Sequence, residues 1–465
     1  LAMTQFGVFQ RSQKWYNGVC MLKQWIKKML PISMLHRYHY TLALLANVLY
    51  RHPSSELVVI GVTGTNGKST TVEFIGRILE FAGARVGWTG TASFKVADRE
   101  WVNDQKMTML GRFQTQKRLR EMVQAGCSYA IIETSSQGIV QSRHIGINYD
   151  VVVFTNLTPE HIESHGSFEN YKLAKKELFV KTKQSRRKKI QGNVFEKTAV
   201  VNLNDPHASE FLSVGLDRSF GFGIDPVIFQ DEEDRPMSIV PVIAEDVVYA
   251  PNSTGFMLAG LHWHAELVGR FYLENVLAAV SVCRALGLEW ELLRDAVSHL
   301  ASVPGRLERI DEGQSFSVIV DYAYEPAALN AVYESLKLFA HKKIIHVVGS
   351  AGGGRDVARR EILGEMSAAY DDITIVTNED PYDDDPVEII NTIADSAILH
   401  GKKEQINLFR ILDRAEAIHY AVRLAQAGDL VLITGKGSEP VMAVAHGKKI
   451  PWDDRIAVRE ALRRL

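Results

Sequence analysis

The 465 residues are 46% hydrophobic and 23% charged, with a formal net charge of −2, the balance of a globular chain that divides into two or three domains. That charge gives no electrostatic case for a nucleic-acid partner. Three cysteines, Cys20, Cys127 and Cys283, stand too far apart for a CxxC metal site, and together these features indicate a reducing compartment, the cytoplasm.

Residues 1–56 mix aromatic and basic side chains with one apolar segment, Thr41–Tyr50. The segment falls short of the roughly 20 apolar residues that span a bilayer. A helix packed on the next domain is expected there, with no integral membrane segment and no signal-peptide cleavage pattern.

The apolar run Leu57–Ile60 leads into Gly61-Val-Thr-Gly-Thr-Asn-Gly-Lys-Ser-Thr70, and a helical pattern follows over Thr71–Leu79. A glycine-rich loop between a buried strand and a helix is phosphate-loop context, because its backbone N–H groups close on phosphate oxygens at a helix N-terminus. Gly64, Thr65, Asn66, Gly67, Lys68, Ser69 and Thr70 form the predicted cradle. Lys68 would reach the β- and γ-phosphates of ATP and Ser69 would hold Mg²⁺. The strict spacing is not met, since Val62 stands where the first glycine belongs and Gly61 and Gly64 flank it.

From 57 to 303, strand-like runs (Arg85–Trp88, Tyr129–Ile132, Val151–Phe154, Thr198–Val201) alternate with helical patterns. This predicts an α/β domain with a mostly parallel sheet and its ligands at the carboxyl ends of the strands. Glu133 ends one strand and is a candidate Mg²⁺ ligand, since that ion takes oxygen donors and one or two carboxylates beside phosphates. The strand Val151–Phe154 leads to His161 and His165, one turn apart if Pro159 opens a helix, and Lys175 lies on the next helix. The basic run Lys181–Lys189 reads as a solvated loop. Short β-like pieces occupy 218–268, and a helix resumes over Arg270–Leu286.

A second alternating series follows Val303-Pro-Gly-Arg306, with strands at Ser317–Val320, Ile344–Val348, Ile373–Val376 and Leu430–Ile433. Residues 304–465 are therefore expected to form a smaller α/β domain. A nucleotide on one domain and a second substrate on the other would suit a ligase that closes over its reaction.

The stretches Gly64–Ser69, Glu133-Thr-Ser-Ser136, Phe154–His161, His165-Gly166 and Tyr171-Lys-Leu-Ala-Lys175 resemble the central domain of the Mur ligases, the MurE type in particular. Gly269–Asn275, Pro304–Glu308, Val320–Tyr324, Gly353–Asp356, Asp380-Pro381 and Gly435–Glu439 are similar to that family's later motifs, in order, so the likeness spans roughly 57–465. It implies a phosphate-loop ATPase domain followed by a Rossmann-like C-terminal domain. It also implies an ATP- and Mg²⁺-dependent enzyme that turns a carboxylate into an acyl phosphate and lets an amine displace the phosphate. By resemblance, Ser69, Glu133 and His161 are metal ligands, and Lys175 is a carbamylated lysine at the second metal. The resemblance also implies that Asn275, Arg306 and Asp321 contact the nucleotide. It implies in the same way that Thr108, Ser135, Ser136, Arg143, Asp380, Tyr382, Gly435 and Glu439 face the substrates. The implied partners are small molecules, an amino acid and a carboxylate acceptor, and a monomer or weak oligomer is expected.

Several positions depart from the pattern. Enzymes of this type that use meso-diaminopimelate carry Asp-Asn-Pro-Arg, whereas this chain has Glu379-Asp-Pro-Tyr382, without the arginine fork that grips a carboxylate. Ser438, Tyr324 and Gln137 stand where the family has histidines. With Glu379, Asp380, Asp383, Asp384 and Asp385 in one loop, an amine lacking a second carboxylate, such as lysine, is the expected substrate. The 56 residues before the loop are fewer than a UDP-sugar domain needs, so the alternative acceptor is a UDP-free polyglutamate or folate-type chain. A non-catalytic nucleotide-binding protein is the remaining reading, and the joint presence of Glu133, His161 and Lys175 argues against it.

Overall fold

The strand Val58–Thr63 is buried at all six positions, as befits a strand covered by helices on both faces. In this computed structural model, which describes residues 32–105, 107–160, 162–227, 238–354 and 357–465, it lies inside an eleven-stranded sheet. Its parallel neighbours are Tyr129–Glu133 on one side and Val151–Phe154 on the other. Val86–Thr89 extends the parallel set beyond the first, and Thr198–Asn202, Arg218–Ile224 and Ile239–Ala250 extend it beyond the second. Antiparallel hairpin partners close both edges, Ser93–Val96 with Arg99–Val102 at one and Ser253–Leu258 with Leu261–Ala265 at the other. Helices Lys68–Phe81 and Arg270–Ala285 cover one face through Phe74, Ile75, Ile78, Val276 and Val280, while Leu119, Tyr171, Leu178 and Phe179 cover the other.

Register positions the chemistry. Val62 pairs with Glu133 and Thr63 with Phe154, so the loop after Thr63, the carboxylate of Glu133 and the segment after Phe154 emerge together at the carboxyl edge. That edge, where the strands on either side diverge in chain order, is where open α/β sheets bind ligands.

The smaller C-terminal α/β unit has a six-stranded sheet in the order Glu308–Arg309, Ser317–Asp321, Leu430–Thr434, Ile344–Val348, Ile373–Thr377, Leu408–Ile411. All of its pairs are parallel except the first. Arg414, fully buried, donates to Asp454 at 2.7 Å and to the Thr434 carbonyl at 2.8 Å, tying down the carboxyl end of the central strand. The two units touch through loops that follow their strands: Asn66 Nδ2 donates to Glu325 Oε1 at 2.6 Å, and Tyr324 donates to Glu160 Oε1 at 2.9 Å.

The apolar segment near the start lies in the helix Ile32–Leu49, which packs against the helix Arg112–Gln124. No described helix is long and apolar enough to cross a membrane. Cys127 and Cys283 are buried free thiols; Cys20 lies outside the described residues.

The basic run is not the expected solvated loop. Lys181 and Lys183 finish the helix Phe168–Gln184, and Lys188 opens a short strand. Lys188 is buried, pairs with Asp150, and donates to the carbonyls of Ser54, Leu57 and Asn148 at 2.6–2.8 Å. Burial lowers its pKa to about 8. Three carbonyls and a carboxylate replace its water shell, which is what lets a lysine sit inside.

Candidate active site

Two glycines in the phosphate loop have no space for a side chain. A Cβ on Gly64 would lie 1.9 Å from Thr155 Oγ1, and one on Gly67, at φ 80°, would lie 2.2 Å from Asn275 Oδ1. The loop is fastened to the neighbouring strand's extension. Thr65 N donates to the Asn156 carbonyl at 2.9 Å, Asn66 N to Asn156 Oδ1 at 2.8 Å, and Thr155 Oγ1 to the Asn66 carbonyl at 2.7 Å. Gly67 then caps the helix Lys68–Phe81 without a side-chain acceptor, so the first-turn amides are directed at an incoming anion. Lys68 Nζ curls over the loop, donating to the carbonyls of Gly64 at 3.0 Å and Thr65 at 2.5 Å.

Glu133 is 2% exposed. Its Oε2 accepts from Ser69 Oγ at 2.9 Å and Thr91 N at 2.6 Å. Thr91 Oγ1 stands 3.0 Å from both Glu133 Oε1 and Thr108 Oγ1. A buried carboxylate beside hydroxyls at a phosphate site is an all-oxygen donor set, which suits Mg²⁺.

Lys175 is 1% exposed. Its Nζ donates to the same Gly64 carbonyl as Lys68 does, at 2.6 Å, and lies 4.3 Å from the centre of the Tyr171 ring. Burial, and then the Lys68 charge, push its pKa well below the usual lysine value, against an opposing pull from Glu160. The structure therefore holds a lysine in a place that disfavours the ammonium form.

His161 lies outside the described residues. The helix that follows runs Ile162–His165, and Pro159 lies in a bend ahead of it rather than at its start. His165 Nε2 is 3.1 Å from Ser136 Oγ.

Three adjoining cavities divide the predicted residues among them. The first, about 100 Å³, is lined by the loop from Thr65 to Thr70 with Glu133, Glu160, Lys175 and Arg306. A second, about 250 Å³, runs between the two sheets past Asn66, Thr70, Asn275, Arg306 and Asp321. Here the Arg306 guanidinium lies 4.3 Å from the centre of the Tyr322 ring. Asp321 accepts from the amides of Leu307 and Ala323, both at 2.6 Å, and burial raises its pKa. The third cavity, about 370 Å³, brings together Thr108, Ser135, Ser136, Arg143, Asp380, Tyr382, Gly435 and Glu439. Thr91, Thr108, Ser135, Ser136, Tyr322 and Tyr324 line both the first and the third.

Three of the acids expected to crowd this third cavity serve the fold instead. Asp383 accepts from His446 N at 2.7 Å, Asp384 pairs with Arg360 at 3.3 Å, and Asp385 caps the helix Pro386–Leu399. Asp380 is held by Lys436 at 3.0 Å, and Lys436 also pairs with Glu439. The cavity contains an arginine that the sequence reading missed, Arg359. The visible signal was an Arg-Arg pair opening a helix after a glycine-rich stretch. Thr91, which braces Glu133, carried no comparable signal.

The sequence profile of the Mur ligase middle domain matches residues 62–283, and that of the Mur ligase glutamate ligase domain matches 305–437. The chain belongs to the Mur ligase family. As a Mur ligase it is an ATP-dependent acid–amino-acid ligase. It is 37% identical over 443 residues to the UDP-N-acetylmuramyl-tripeptide synthetase of Roseiflexus sp. (strain RS-1), covering 94% of this chain and 84% of that protein. It is 33% identical over 443 residues to the UDP-N-acetylmuramoyl-L-alanyl-D-glutamate–2,6-diaminopimelate ligase of Geobacillus thermodenitrificans (strain NG80-2), covering 93% and 84%. A solved structure of a 2,6-diaminopimelate ligase of that kind superposes with a TM-score of 0.56 at 28% identity, covering 88% of this chain and 78% of that one. The Mur ligase likeness therefore extends across both sheets.

Proposed function

We propose that this Mur ligase adds an amino acid to a UDP-N-acetylmuramoyl-dipeptide acceptor, the MurE-type step of peptidoglycan precursor synthesis. The observation that carries the reading is the junction of the first and third cavities, where a phosphate loop, a braced carboxylate and a buried lysine meet a pocket bordered by the C-terminal unit. The acceptor class rests on relatives named for it at 33% identity and above. We assign residues 57–303 to the phosphate-loop ATPase domain, 304–465 to the Rossmann-like C-terminal domain, and 1–56 to an N-terminal extension.

The acceptor carboxylate oxygen attacks the γ-phosphorus of ATP, the bond to the β,γ-bridging oxygen breaks, and ADP leaves. Lys68 and the loop amides offset the charge that spreads over the transferring group. The amino acid's amine then attacks the acyl carbonyl carbon. Its C–N bond forms, the C–O bond to phosphate breaks, and the amine's proton passes to solvent as phosphate departs. Asn275, Arg306 and Asp321 hold the nucleotide, while Thr108, Ser135, Ser136 and Arg143 steer the acceptor toward the loop.

Ser69, Glu133 and His161 would hold Mg²⁺, which when bound neutralises phosphate charge. Lys175, kept toward its neutral form, is set up to add carbon dioxide: an N–C bond forms, a proton leaves the nitrogen for solvent, and the nitrogen then carries the new carboxylate as a carbamate. A carbamate beside Lys68 relieves the repulsion that two ammonium groups on one carbonyl would create.

Phosphate release and product mass over a panel of acceptors and amines test the function. ATP-dependent amide formation on the UDP-linked dipeptide is expected. Products formed only on UDP-free glutamyl acceptors would overturn it.

A further inference from the structure

The helix Ile32–Leu49 carries its large apolar side chains outward. Ala43 and Ala46 are buried, and Asn47 beside them leaves a buried Oδ1 without a partner among the described residues. On the other side Met34, Tyr38, Leu44, Leu45, Val48 and Leu49 are 40–63% exposed. Their steps of three, four and seven residues set them on one stripe. A surface helix of a globular protein ordinarily turns such a stripe to the core. This helix contains no aspartate or glutamate, and its one cation besides histidine, Arg37, is exposed on the same stripe.

A cavity of about 590 Å³ lies beside the stripe, between this helix and the helices Ser136–Val140 and Phe168–Gln184. Tyr40, Ile139, Val140 and Ala174 give it apolar walls, and Arg37 and Lys181 border it. Glu177 pairs with Lys181 at 3.4 Å, so Arg37 leaves the groove net positive. His144 also lines it, 4% exposed, with neither ring nitrogen partnered among the described residues. Burial, and then the Lys181 charge, lower its pKa to about 4. The ring is therefore neutral and offers one donor and one acceptor to whatever enters the groove.

Charge identifies the occupant. The first 55 residues carry seven lysines and arginines and no aspartate or glutamate, in a chain whose net charge is −2. Trp15 and Trp25 belong to the same stretch. Cations interleaved with aromatic and aliphatic side chains suit the boundary between lipid headgroups and acyl chains. We propose that this face docks on an anionic phospholipid surface, with the helix stripe at the headgroup–acyl boundary and a headgroup phosphate beside Arg37 and His144. The attachment is peripheral, since no described helix is long and apolar enough to cross a membrane. A two-fold pairing with a second copy would instead set Arg37 and the basic stretch against themselves. Among the described residues the groove and the first cavity share no lining side chain, so docking leaves the phosphate loop and Lys175 free.

Vesicle co-sedimentation of the full chain tests this, with phosphatidylcholine alone and with phosphatidylglycerol mixed in. Binding to the mixed vesicles should exceed binding to phosphatidylcholine by about 10-fold or more, and should fall in about 1 M salt. Leu45→Ser combined with Val48→Ser takes apolar area from the stripe and should lower partition about 10-fold or more. Arg37→Glu should lower it by about 5-fold for each unit of charge changed. Both variants lie outside the three cavities of the active site, so their ATP-dependent amide formation in free solution should match native, which separates lost docking from lost folding. Equal binding to the two kinds of vesicle overturns the proposal, as does vesicle binding that both variants leave unmoved. A dimer in light scattering that Leu45→Ser with Val48→Ser dissociates also overturns it, because the stripe then belongs to a second copy.

Discussion

Replacing Lys175 with alanine separates activity from stability in a way the structure makes quantitative. The side chain is 1% exposed and, among the described residues, its nitrogen makes a single 2.6 Å bond to a backbone carbonyl, so the lost hydrogen bond is worth about 1 kcal/mol. Removing a preorganised electrostatic group at a transferring phosphoryl lowers kcat by roughly 100- to 1,000-fold. Lys175→Ala should therefore be nearly inactive with a midpoint of thermal unfolding only a few degrees away from native. The pH dependence carries a sign. Its folded-state pKa is lowered, chiefly by burial and next by Lys68, so the unfolded chain binds this proton more readily. The stability linked to Lys175 is fully present above the unfolded lysine value, about 10.4, and is lost as pH falls toward the depressed folded value. In buffer stripped of carbon dioxide, native protein should lose unfolding temperature relative to Lys175→Ala as pH is lowered through that window, and bicarbonate should restore native activity. Parallel unfolding curves for the two proteins, or activity in Lys175→Ala that matches native, would refute the reasoning.

Lys68→Ala should cut ATP-dependent amide formation about 100- to 1,000-fold with an unchanged circular dichroism spectrum, because among the described residues the side chain bonds only its own loop, and it faces the cavity. Gly67→Ala should lower stability by about 1–3 kcal/mol in urea titration, since the left-handed φ and the 2.2 Å approach to Asn275 Oδ1 both oppose a Cβ. Asp150→Asn removes the carboxylate shared by buried Lys188 and Lys197; a loss of about 3–5 kcal/mol is expected, and a loss below 1 kcal/mol, read from the same titration, would contradict the buried-pair argument. Glu133→Gln should raise the Mg²⁺ concentration needed for half-maximal rate about 10-fold or more, measured by metal titration at saturating ATP.

Where one face or both faces of an element are buried, the sequence pattern was enough: the strands at Tyr129, Val151, Ile344 and Leu430 begin at the residues expected from their apolar runs. The hairpin of Ser93–Val96 and Arg99–Val102 escaped notice because an edge pair with exposed Arg99 and Glu100 carries no such run. The phosphate-loop glycines, Lys68 and Glu133 stood out from local sequence around a strand end, whereas Lys175 was picked out by its resemblance to a family motif; all of them line the first cavity or its loop. Arg359 was not singled out, because its place in the third cavity depends on a helix start being brought beside the loops at 379–382 and 435–439. The aspartates at 383–385 misled for the converse reason. Composition read them as a charged pocket wall, whereas a backbone amide, Arg360 and a helix N-terminus take them up. The expectation of a lysine-like amine rested on those aspartates and on the missing fork at 382, and three of the aspartates are engaged within the fold.

Oxygen isotope transfer tests the central claim most directly. The UDP-linked dipeptide is prepared with oxygen-18 in its terminal carboxylate and incubated with ATP, Mg²⁺ and the amine, and the released phosphate is analysed by mass. If the carboxylate is activated as an acyl phosphate at the Gly64–Thr70 loop, phosphate leaves with one oxygen from the acceptor for each amide formed. Amide product accompanied by unlabelled phosphate would contradict that account.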